Sequence, residues 1–237
     1  MTAIYKLVAK IADLLSLIIK KQNTNSSIES KPDPNPVRET LHQVIWRYLI
    51  DYGTTEDKNF VLVGIRNSKG REKDVINDWL GFITLDGLFI SKGTTEAGTR
   101  FTTDKTVRNP EGTFYLDFGF HKKIWCFGIH KGYEALVNDP KKCLPTAGWR
   151  DSNYNFVFDR DDIKVRGHFG INFHRMHPFQ IVDRIGGYSS GCQVVNDNKD
   201  FQYIYQKAKE SGLEIFDYVL IDIIYLPSYL REELCLS

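Results

Sequence analysis

The spacing of apolar residues divides the chain into three parts with different predicted structures. In the first part apolar residues recur at helical spacing on one face, which predicts an amphipathic helix over residues 1–21. These residues are Ile4, Leu7, Val8, Ile11, Leu15 and Ile18. Residues 22–37 are rich in Asn, Ser, Lys and Pro, a composition typical of a solvated linker. A second helix is predicted over residues 38–49, where apolar side chains again recur at helical spacing.

From residue 60 onward the apolar period changes to two, the period of a β-strand with one buried face. The runs that fit this pattern are residues 60–65, 80–85, 88–91, 112–120, 124–129, 155–158, 169–173 and 219–224. The Asp86-Gly87 pair between two of these runs predicts a tight hairpin. One helix interrupts the late strands; it is predicted to begin near Asn198 and to stop at Gly212.

This order of elements predicts a mainly β domain over residues 38–237. Its expected architecture is a β-sandwich or partly closed barrel, mostly antiparallel, with one or two helices. A chain of 237 residues, of which 42% are hydrophobic, is long enough to bury a large core. We therefore expect one folded domain, preceded by the amphipathic helix and its linker.

Charge and cysteine usage exclude several functional classes. The formal net charge is +1, and the sequence contains no run of five or more basic residues, so we expect no nucleic-acid partner. The four cysteines, Cys126, Cys143, Cys192 and Cys235, form no CxxC pair. This argues against a zinc ribbon and against a disulfide-dense secreted scaffold. Cys126 lies in an apolar run and is predicted to be a buried thiol, while a Cys126–Cys143 disulfide stays open.

Residues 4–19 are apolar, but Lys6, Lys10 and Asp13 interrupt them, so they do not predict a membrane span. They also lack the pattern of a cleavable signal peptide, because the charges lie inside the apolar stretch and no small-x-small site precedes Gln22. The amphipathic pattern instead favours a docking or interfacial helix. We expect residues 4–19 to contact a membrane surface or a larger protein assembly.

The strongest chemical signal is a histidine and a cysteine eighteen positions apart. His174 ends a predicted strand, and Cys192 follows the turn Ser189-Ser190-Gly191. An imidazole within hydrogen-bond reach of a thiol can take its proton, and the resulting thiolate is a strong nucleophile. We expect the glycine turn to expose the thiol and to leave the backbone N–H groups of Gly191 and Cys192 free to hold an oxyanion. Cys192 should then react below the pKa of a free thiol, which is about 8.5.

A metal site is the main alternative chemistry for these residues. His168, His174 and His177 lie within ten residues of sequence, with Cys192 further along, and imidazole plus thiolate suits zinc. An extended strand between His168 and His174 would separate the two rings by about 20 Å. Zinc is therefore the weaker interpretation, and no metal ligand is assigned.

Residues next to the pair are candidates for supporting roles. Ser189 and Ser190 are expected to hydrogen-bond the turn or the imidazole rather than to act as nucleophiles, because no Gly-x-Ser-x-Gly elbow surrounds either one. A guanidinium binds a carboxylate with two parallel hydrogen bonds, although a solvated side chain or surface ion pair is the alternative for each arginine here. The candidates for substrate binding are Arg175, His177, Arg184, Tyr188 and Ser190.

The stretch from His174 to Cys192 resembles the catalytic motif of the L,D-transpeptidase family, in which a histidine precedes a Ser/Thr-His-Gly-Cys turn. Ser189, Gly191 and Cys192 match this motif, whereas Ser190 stands at the position of the motif histidine. The Gln-Val pair after the cysteine also departs from the usual apolar residue followed by Arg or Asn. The motif with these departures is similar to the one in a divergent branch of the family found in phage and prophage proteins. Further segments similar to that branch are residues 93–98, 128–137 and 149–151, so that the resemblance covers residues 45–230.

The resemblance implies an L,D-transpeptidase-like domain that transfers acyl groups on peptidoglycan stem peptides, through a thioester on Cys192 with His174 as base. It implies no cofactor, a bacterial envelope or periplasmic location, and a substrate groove with walls at Trp149, Arg150 and Tyr154. Because no signal peptide is evident, delivery by a phage or within a virion is an alternative route. Two other functions stay open: a cell-wall peptidase or phage-type lytic enzyme of the same fold, and a non-catalytic wall-binding or virion structural module.

Overall fold

The computed structural model of this chain describes residues 38–52, 59–68, 74–155 and 162–236. The predicted helix over residues 1–21, the predicted linker over residues 22–37 and all but the first residue of the predicted strand 155–158 lie outside these ranges. Residues Glu39–Ser237 form one compact unit. Strands predominate in its secondary structure, which confirms the predicted mainly β class.

Eight strands form a barrel that is closed by backbone hydrogen bonds. In pairing order they are β1 (Val61–Arg66), β11 (Ile215–Asp222), β5 (Gly119–His130), β6 (Tyr133–Val137), β9 (Phe173–Arg175), β10 (Gln193–Val195), β3 (Leu88–Thr94) and β2 (Asp78–Ile83). The neighbouring strands are antiparallel except in two pairs, β1 with β11 and β9 with β10, which are parallel. His174 lies in β9 of the second parallel pair, and Cys192 immediately precedes β10.

A second, three-stranded antiparallel sheet lies beside the barrel. It consists of β4 (Thr113–Leu116), β7 (Thr146–Asp151) and β8 (Ile163–Gly167), with β7 in the middle. The backbone of β4 reaches the cysteine turn, because the carbonyl oxygen of Phe114 lies next to Gly191. This sheet therefore supports the candidate site from one side.

Four helices occur in the described residues: α1 (Leu41–Asp51), α2 (Thr99–Thr103), α3 (Asn198–Glu210) and α4 (Ser228–Leu236). Thr40 and Gln43 form a capping box at the start of α1, which satisfies N–H groups that the first turn leaves without partners. Asp197 caps α3, and Gly212 follows its end with a left-handed φ of 71°, as the predicted stop requires. Within the described ranges, no helix is long and apolar enough to cross a bilayer.

The two faces of the barrel sheet bury separate apolar clusters. One cluster packs α3 against core residues such as Trp125 and Phe173, and the other packs α1 and α4 against β1, β2 and β11. Successive residues of β1 alternate between them, with Leu62 in the first cluster and Val63 in the second. A strand that is buried on both faces has apolar residues at successive positions. The sequences of β1 and β11 therefore contain long, nearly continuous apolar runs.

The structure corrects several predicted strand boundaries. The predicted strand 169–173 is wrong over most of its length, because Gly170 adopts a left-handed φ of 66° and the strand begins only at Phe173. The predicted strand 219–224 ends at Asp222, whose carboxylate accepts the Ile224 N–H and starts a 3₁₀ turn. The apolar pattern does not predict β6, β7 or β8, since these strands are short and partly exposed.

Candidate active site around Cys192 and His174

The parallel pair β9 and β10 places Cys192 and His174 on the same face of the barrel wall. His174 is paired with Val194, and the Gln193 N–H donates to the Asn172 carbonyl at 2.9 Å, so Cys192 stands opposite Asn172. Side chains alternate along a strand, which puts Cys192, Asn172 and His174 on one face. Cys192 and His174 are diagonal neighbours, with Cα atoms roughly 8 Å apart from strand geometry.

Hydrogen bonds fix the orientation and the tautomer of the His174 ring. Its Nδ1 lies 2.8 Å from the Arg175 carbonyl oxygen and 2.9 Å from the Tyr133 hydroxyl. A carbonyl oxygen only accepts, so Nδ1 carries the proton and donates. The Nε2 atom therefore holds a lone pair, and it is buried without a hydrogen-bond partner among the described residues. This is the protonation state that a general base needs.

The surroundings of His174 keep its imidazole neutral. The residue is 2% exposed, and this burial, together with the nearby His130, lowers the pKa of His174 to about 3. Lys131 and Arg175 act in the same direction through their positive charges. At neutral pH the ring is thus uncharged and able to accept a proton.

A second histidine and an asparagine complete the surroundings of the base. The rings of His130 and His174 are stacked, with centroids 4.3 Å apart, and the Asn172 amide nitrogen lies 2.9 Å from His130 Nδ1. Asn172 also donates its backbone N–H to Cys192 Sγ at 3.4 Å. Asn172 therefore contacts the sulfur through its backbone and the second imidazole through its side chain.

Cys192 is buried, which contradicts the expectation that the glycine turn exposes its thiol. The residue is 6% exposed and forms an apolar cluster with Met176 and Val194, covered in part by Val182 and Tyr188. Burial raises the pKa of the Cys192 thiol, although two backbone N–H groups act in the opposite direction. The expectation of reactivity below the pKa of a free thiol is therefore not supported. The thiol donates to the Gly170 carbonyl at 4.0 Å, and no hydrogen bond joins it to the neutral His174 ring.

The turn before Cys192 is held by the hydroxyl of Ser189. This oxygen accepts the Gly191 N–H at 3.1 Å and donates to the Cys192 carbonyl at 2.9 Å, so the predicted turn-bonding role of Ser189 is confirmed. The Gly191 N–H, one of the two predicted oxyanion donors, is engaged in this bond. The Cys192 N–H forms no hydrogen bond with any described residue, and it is the donor that remains free.

Two of the predicted substrate-binding residues contact the site. The Arg175 guanidinium lies over the Tyr133 ring, 4.1 Å from its centroid, and Tyr188 packs against the cluster that contains Cys192. Arg175 forms no salt bridge with any described residue. Its guanidinium instead donates to the Met176 carbonyl at 3.3 Å.

The remaining predicted residues lie on the loop and turn before β10. His177 accepts the Phe179 N–H at 3.2 Å through Nδ1, Arg184 is exposed and its backbone bridges to Val75, and Ser190 is exposed at a bridge to Ala97. Among the described residues, no side-chain hydrogen bond or ring contact joins these three predicted residues to Cys192 or His174. A binding role for them stays a prediction.

Of the predicted groove walls, Trp149 and Arg150 lie in β7 of the neighbouring sheet and Tyr154 follows it. Their polar groups bond locally except Arg150 Nε, which is buried without a partner among the described residues. Trp149 Nε1 donates to Asp117 at 3.2 Å, Arg150 donates to the Gly112 carbonyl at 3.0 Å, and the Tyr154 hydroxyl donates to two backbone carbonyls. These contacts stabilise the second sheet. A substrate-binding role for them stays a prediction.

The histidines and cysteines of the described residues do not converge on a metal site. No group of three or more His, Cys, Asp or Glu side chains has metal-binding geometry within those ranges. His168, one of the residues of the zinc interpretation, has its Nδ1 3.2 Å from Asn138 Oδ1.

Sequence reasoning did not identify Tyr133, His130 or Asn172 as site residues. Residues 128–137 resemble the phage-type branch and contain both His130 and Tyr133, which is the signal that could have found them. Asn172 lies two residues before His174, on the same strand face.

Comparison with known proteins adds no assignment: no protein-family model, no curated protein and no solved structure matches this chain.

Proposed function

We propose that Cys192 and His174 are the nucleophile and general base of an acyl-transfer site for peptides, of the L,D-transpeptidase type. The observation that carries this proposal is the state of His174. Its Nδ1 is held by the Arg175 carbonyl at 2.8 Å, while Nε2 is buried without a partner among the described residues, on the same strand face as the thiol. A buried lone pair without a hydrogen bond is costly. The Cys192 thiol donates to the Gly170 carbonyl at 4.0 Å in this structure rather than to Nε2, so the proposed proton transfer requires the thiol to turn toward the ring.

The proposed reaction has two steps. In the first, His174 Nε2 takes the Cys192 proton as sulfur attacks the peptide carbonyl, and the Cys192 N–H donates to the developing oxyanion. The C–N bond then breaks, the leaving amine takes the proton from His174, and the acyl group remains on sulfur as a thioester. In the second step an amine or water attacks this thioester and gives up a proton to His174. The C–S bond then breaks and the proton passes from His174 to the Cys192 sulfur, which leaves a new peptide bond if the nucleophile was an amine or a shortened peptide if it was water.

The proposed substrate is the stem peptide of peptidoglycan, as the resemblance to L,D-transpeptidases implies. A stem peptide carries free carboxylates, and the Arg175 guanidinium at the edge of the site has no acidic partner in the described residues. A guanidinium suits carboxylate recognition. This substrate places the protein at the bacterial envelope or in a phage particle that acts on it.

The burial of Cys192 favours one alternative function. A thiol that is 6% exposed and packed against Met176 and Val194 resembles a structural cysteine more than a reactive one. Part of this cover must move before a peptide carbonyl can reach the sulfur. If it does not move, the domain is a non-catalytic wall-binding or virion structural module.

The test is to incubate the full chain with purified peptidoglycan and to analyse the released fragments by mass spectrometry. New cross-links indicate a transpeptidase, and shortened stems indicate a hydrolase. Cys192→Ala should abolish either product, and His174→Gln should lower its rate at least about a hundred-fold. Cys235→Ala is the matched control, because Cys235 is exposed on α4.

Two results would overturn the acyl-transfer proposal. The first is wall material that stays unchanged while wild type and Cys192→Ala both pellet with it, which supports the binding module. The second is product formation that survives Cys192→Ala, which would assign the chemistry to other residues.

A further inference from the structure

His130 is placed against the base by a tight hairpin. It ends β5 and is paired with Tyr133 at the start of β6. The two residues between them, Lys131 and Gly132, both have positive φ, 47° and 87°, as in the two-residue turns that favour rigid hairpins. The hairpin thus brings two rings to His174 at once: Tyr133 by its hydroxyl at 2.9 Å and His130 by stacking at 4.3 Å.

Hydrogen bonds determine which nitrogen of His130 carries the proton. The Asn138 N–H donates to Asn172 Oδ1 at 3.1 Å, which orients the Asn172 amide. The other end of that amide, Nδ2, is a donor and lies 2.9 Å from His130 Nδ1. His130 Nδ1 must therefore accept, so the ring is neutral with its proton on Nε2.

We propose that His130 is a positioning residue for His174, a neutral imidazole that Asn172 holds flat against the base. This role rests on the proposed acyl-transfer function. When His174 takes the thiol proton it becomes an imidazolium, and the π face of a neutral aromatic ring stabilises such a cation. Stacking also restricts rotation of the His174 ring, whose Nδ1 is bonded to the Arg175 carbonyl.

The contacts of Asn172 explain why His130 stays neutral. A protonated His130 would place an N–H at Nδ1 against the Asn172 amide donor, and it would place two positive rings in contact once His174 is charged. The other charged or titratable groups around this pair are Lys131, Tyr133, Arg175 and Cys192. The positive charge of Lys131 disfavours a charge on both rings, and that of Arg175 disfavours a charge on His174.

Two variants of His130 and one of Asn172 distinguish the effect of ring stacking on His174 from the effect of the Asn172–His130 hydrogen bond. His130→Phe keeps an aromatic face over His174 but loses the acceptor for Asn172, and we expect its kcat within about ten-fold of wild type. His130→Ala removes the ring, and we expect kcat to fall about a hundred-fold with KM little changed. Circular dichroism and thermal unfolding of each variant show whether it is folded, and the phenylalanine variant decides the question if the alanine variant is not.

Asn172→Asp provides the readout that a purely structural role would not change. A carboxylate beside Nδ1 favours a protonated His130, so a cation then stacks on the base. We expect the acidic limb of the kcat–pH profile to move up by about one unit or more relative to wild type. In ¹⁵N NMR spectra of the imidazoles, His130 should titrate in this variant at a higher pH than in wild type.

The NMR measurement does not depend on turnover. If His130→Ala leaves the His174 ring resonances unchanged, or if Asn172→Asp leaves both the His130 titration and the pH profile unchanged, the positioning role is wrong. If wild type produces no fragments from peptidoglycan, the proposed function fails, and the NMR spectra still decide whether His130 and Asn172 set the state of His174.

Discussion

The carbonyl oxygen of Phe114 stands inside van der Waals distance of the point where a β-carbon on Gly191 would lie. Phe114 belongs to β4, so the second sheet packs directly against the turn that precedes Cys192. Gly191 also has a φ of 121°, a conformation open to glycine and strained for other residues. Space and backbone geometry both require glycine at this position.

We expect Gly191→Ala to lower the free energy of unfolding by about 2–4 kcal/mol, because the new methyl group meets backbone that cannot move aside as a side chain does. Gly212→Ala is the matched control. Gly212 also has positive φ, 71°, but no atom lies within 4 Å of its added β-carbon, so the cost should be about 1 kcal/mol. Urea denaturation of both variants measures the difference, and equal costs would show that Phe114 does not confine the turn.

Substituting each of the two adjacent serines of the turn should change the free energy of unfolding by different amounts. Ser189 is 1% exposed, and its hydroxyl bonds to the Gly191 N–H and the Cys192 carbonyl. Ser189→Ala leaves both buried groups without this partner, and we expect a loss of about 1–3 kcal/mol in the free energy of unfolding. Ser190 is exposed, so Ser190→Ala should stay within about 0.5 kcal/mol of wild type. A larger effect for Ser190 than for Ser189 would contradict the described turn.

The sequence predicts the parts of this protein that local pattern determines. The mainly β class follows from the period-two runs, and α3 follows from its helical spacing and from Gly212. Cys192 and His174 belong to one short motif, and the structure places them on one face of neighbouring strands; the thiol–imidazole hydrogen bond expected between them is not formed, and their joint catalytic role stays a prediction. The strand predicted over residues 169–173 is wrong because the conformation of Gly170 depends on the loop around it, which an apolar pattern does not report.

The burial and the neighbours of the site are not predictable in the same way. Cys192 is covered by Val182 and Tyr188 from the preceding loop and by Ile76 from a segment over one hundred residues away. Tyr133 and His174 are separated by 41 positions. Such contacts depend on which strands pair, and the parallel pairing of β9 with β10 has no signature in either strand alone. The exposure of the Cys192 thiol is therefore the property of the site that the sequence is least able to predict.

Buried neutral His174 should make the protein less stable in acid. Its pKa is about 3 in the folded chain against an ordinary value of 6.5. Between these values the unfolded chain binds a proton that the folded chain does not, so the free energy of unfolding falls as pH drops from 6.5 toward 3. The contribution of this residue is on the order of 4 kcal/mol across that range. Urea denaturation at a series of pH values measures the slope.

His174→Gln provides the control for this pH dependence. Burial also lowers the pKa of His121 and of His130, so these residues contribute a slope of the same sign in both proteins. The difference between wild type and His174→Gln isolates the single residue. We expect wild type to lose more stability than the variant on acidification, and parallel curves would mean that His174 is not buried in its neutral form.

Alkylation of Cys192 should show a thiol that is protonated at neutral pH. Burial raises the pKa of this thiol, and only the thiolate is alkylated. In a Cys235→Ser background, which removes the exposed cysteine, we expect the labelling rate to keep rising between about pH 7 and 10 without a plateau. Peptide mass spectrometry assigns the label to Cys192 rather than to buried Cys126 or Cys143.

The comparison with His174→Ala in the same background decides how the nucleophile is activated. If the thiol is neutral in the resting protein, the two alkylation profiles should have the same shape, because His174 takes the proton only when sulfur attacks a substrate carbonyl. A plateau below pH 7 that disappears in His174→Ala would instead show a preformed thiolate–imidazolium pair. Such a pair would require a His174 pKa well above about 3 and a less buried sulfur than the one packed against Met176 and Val194.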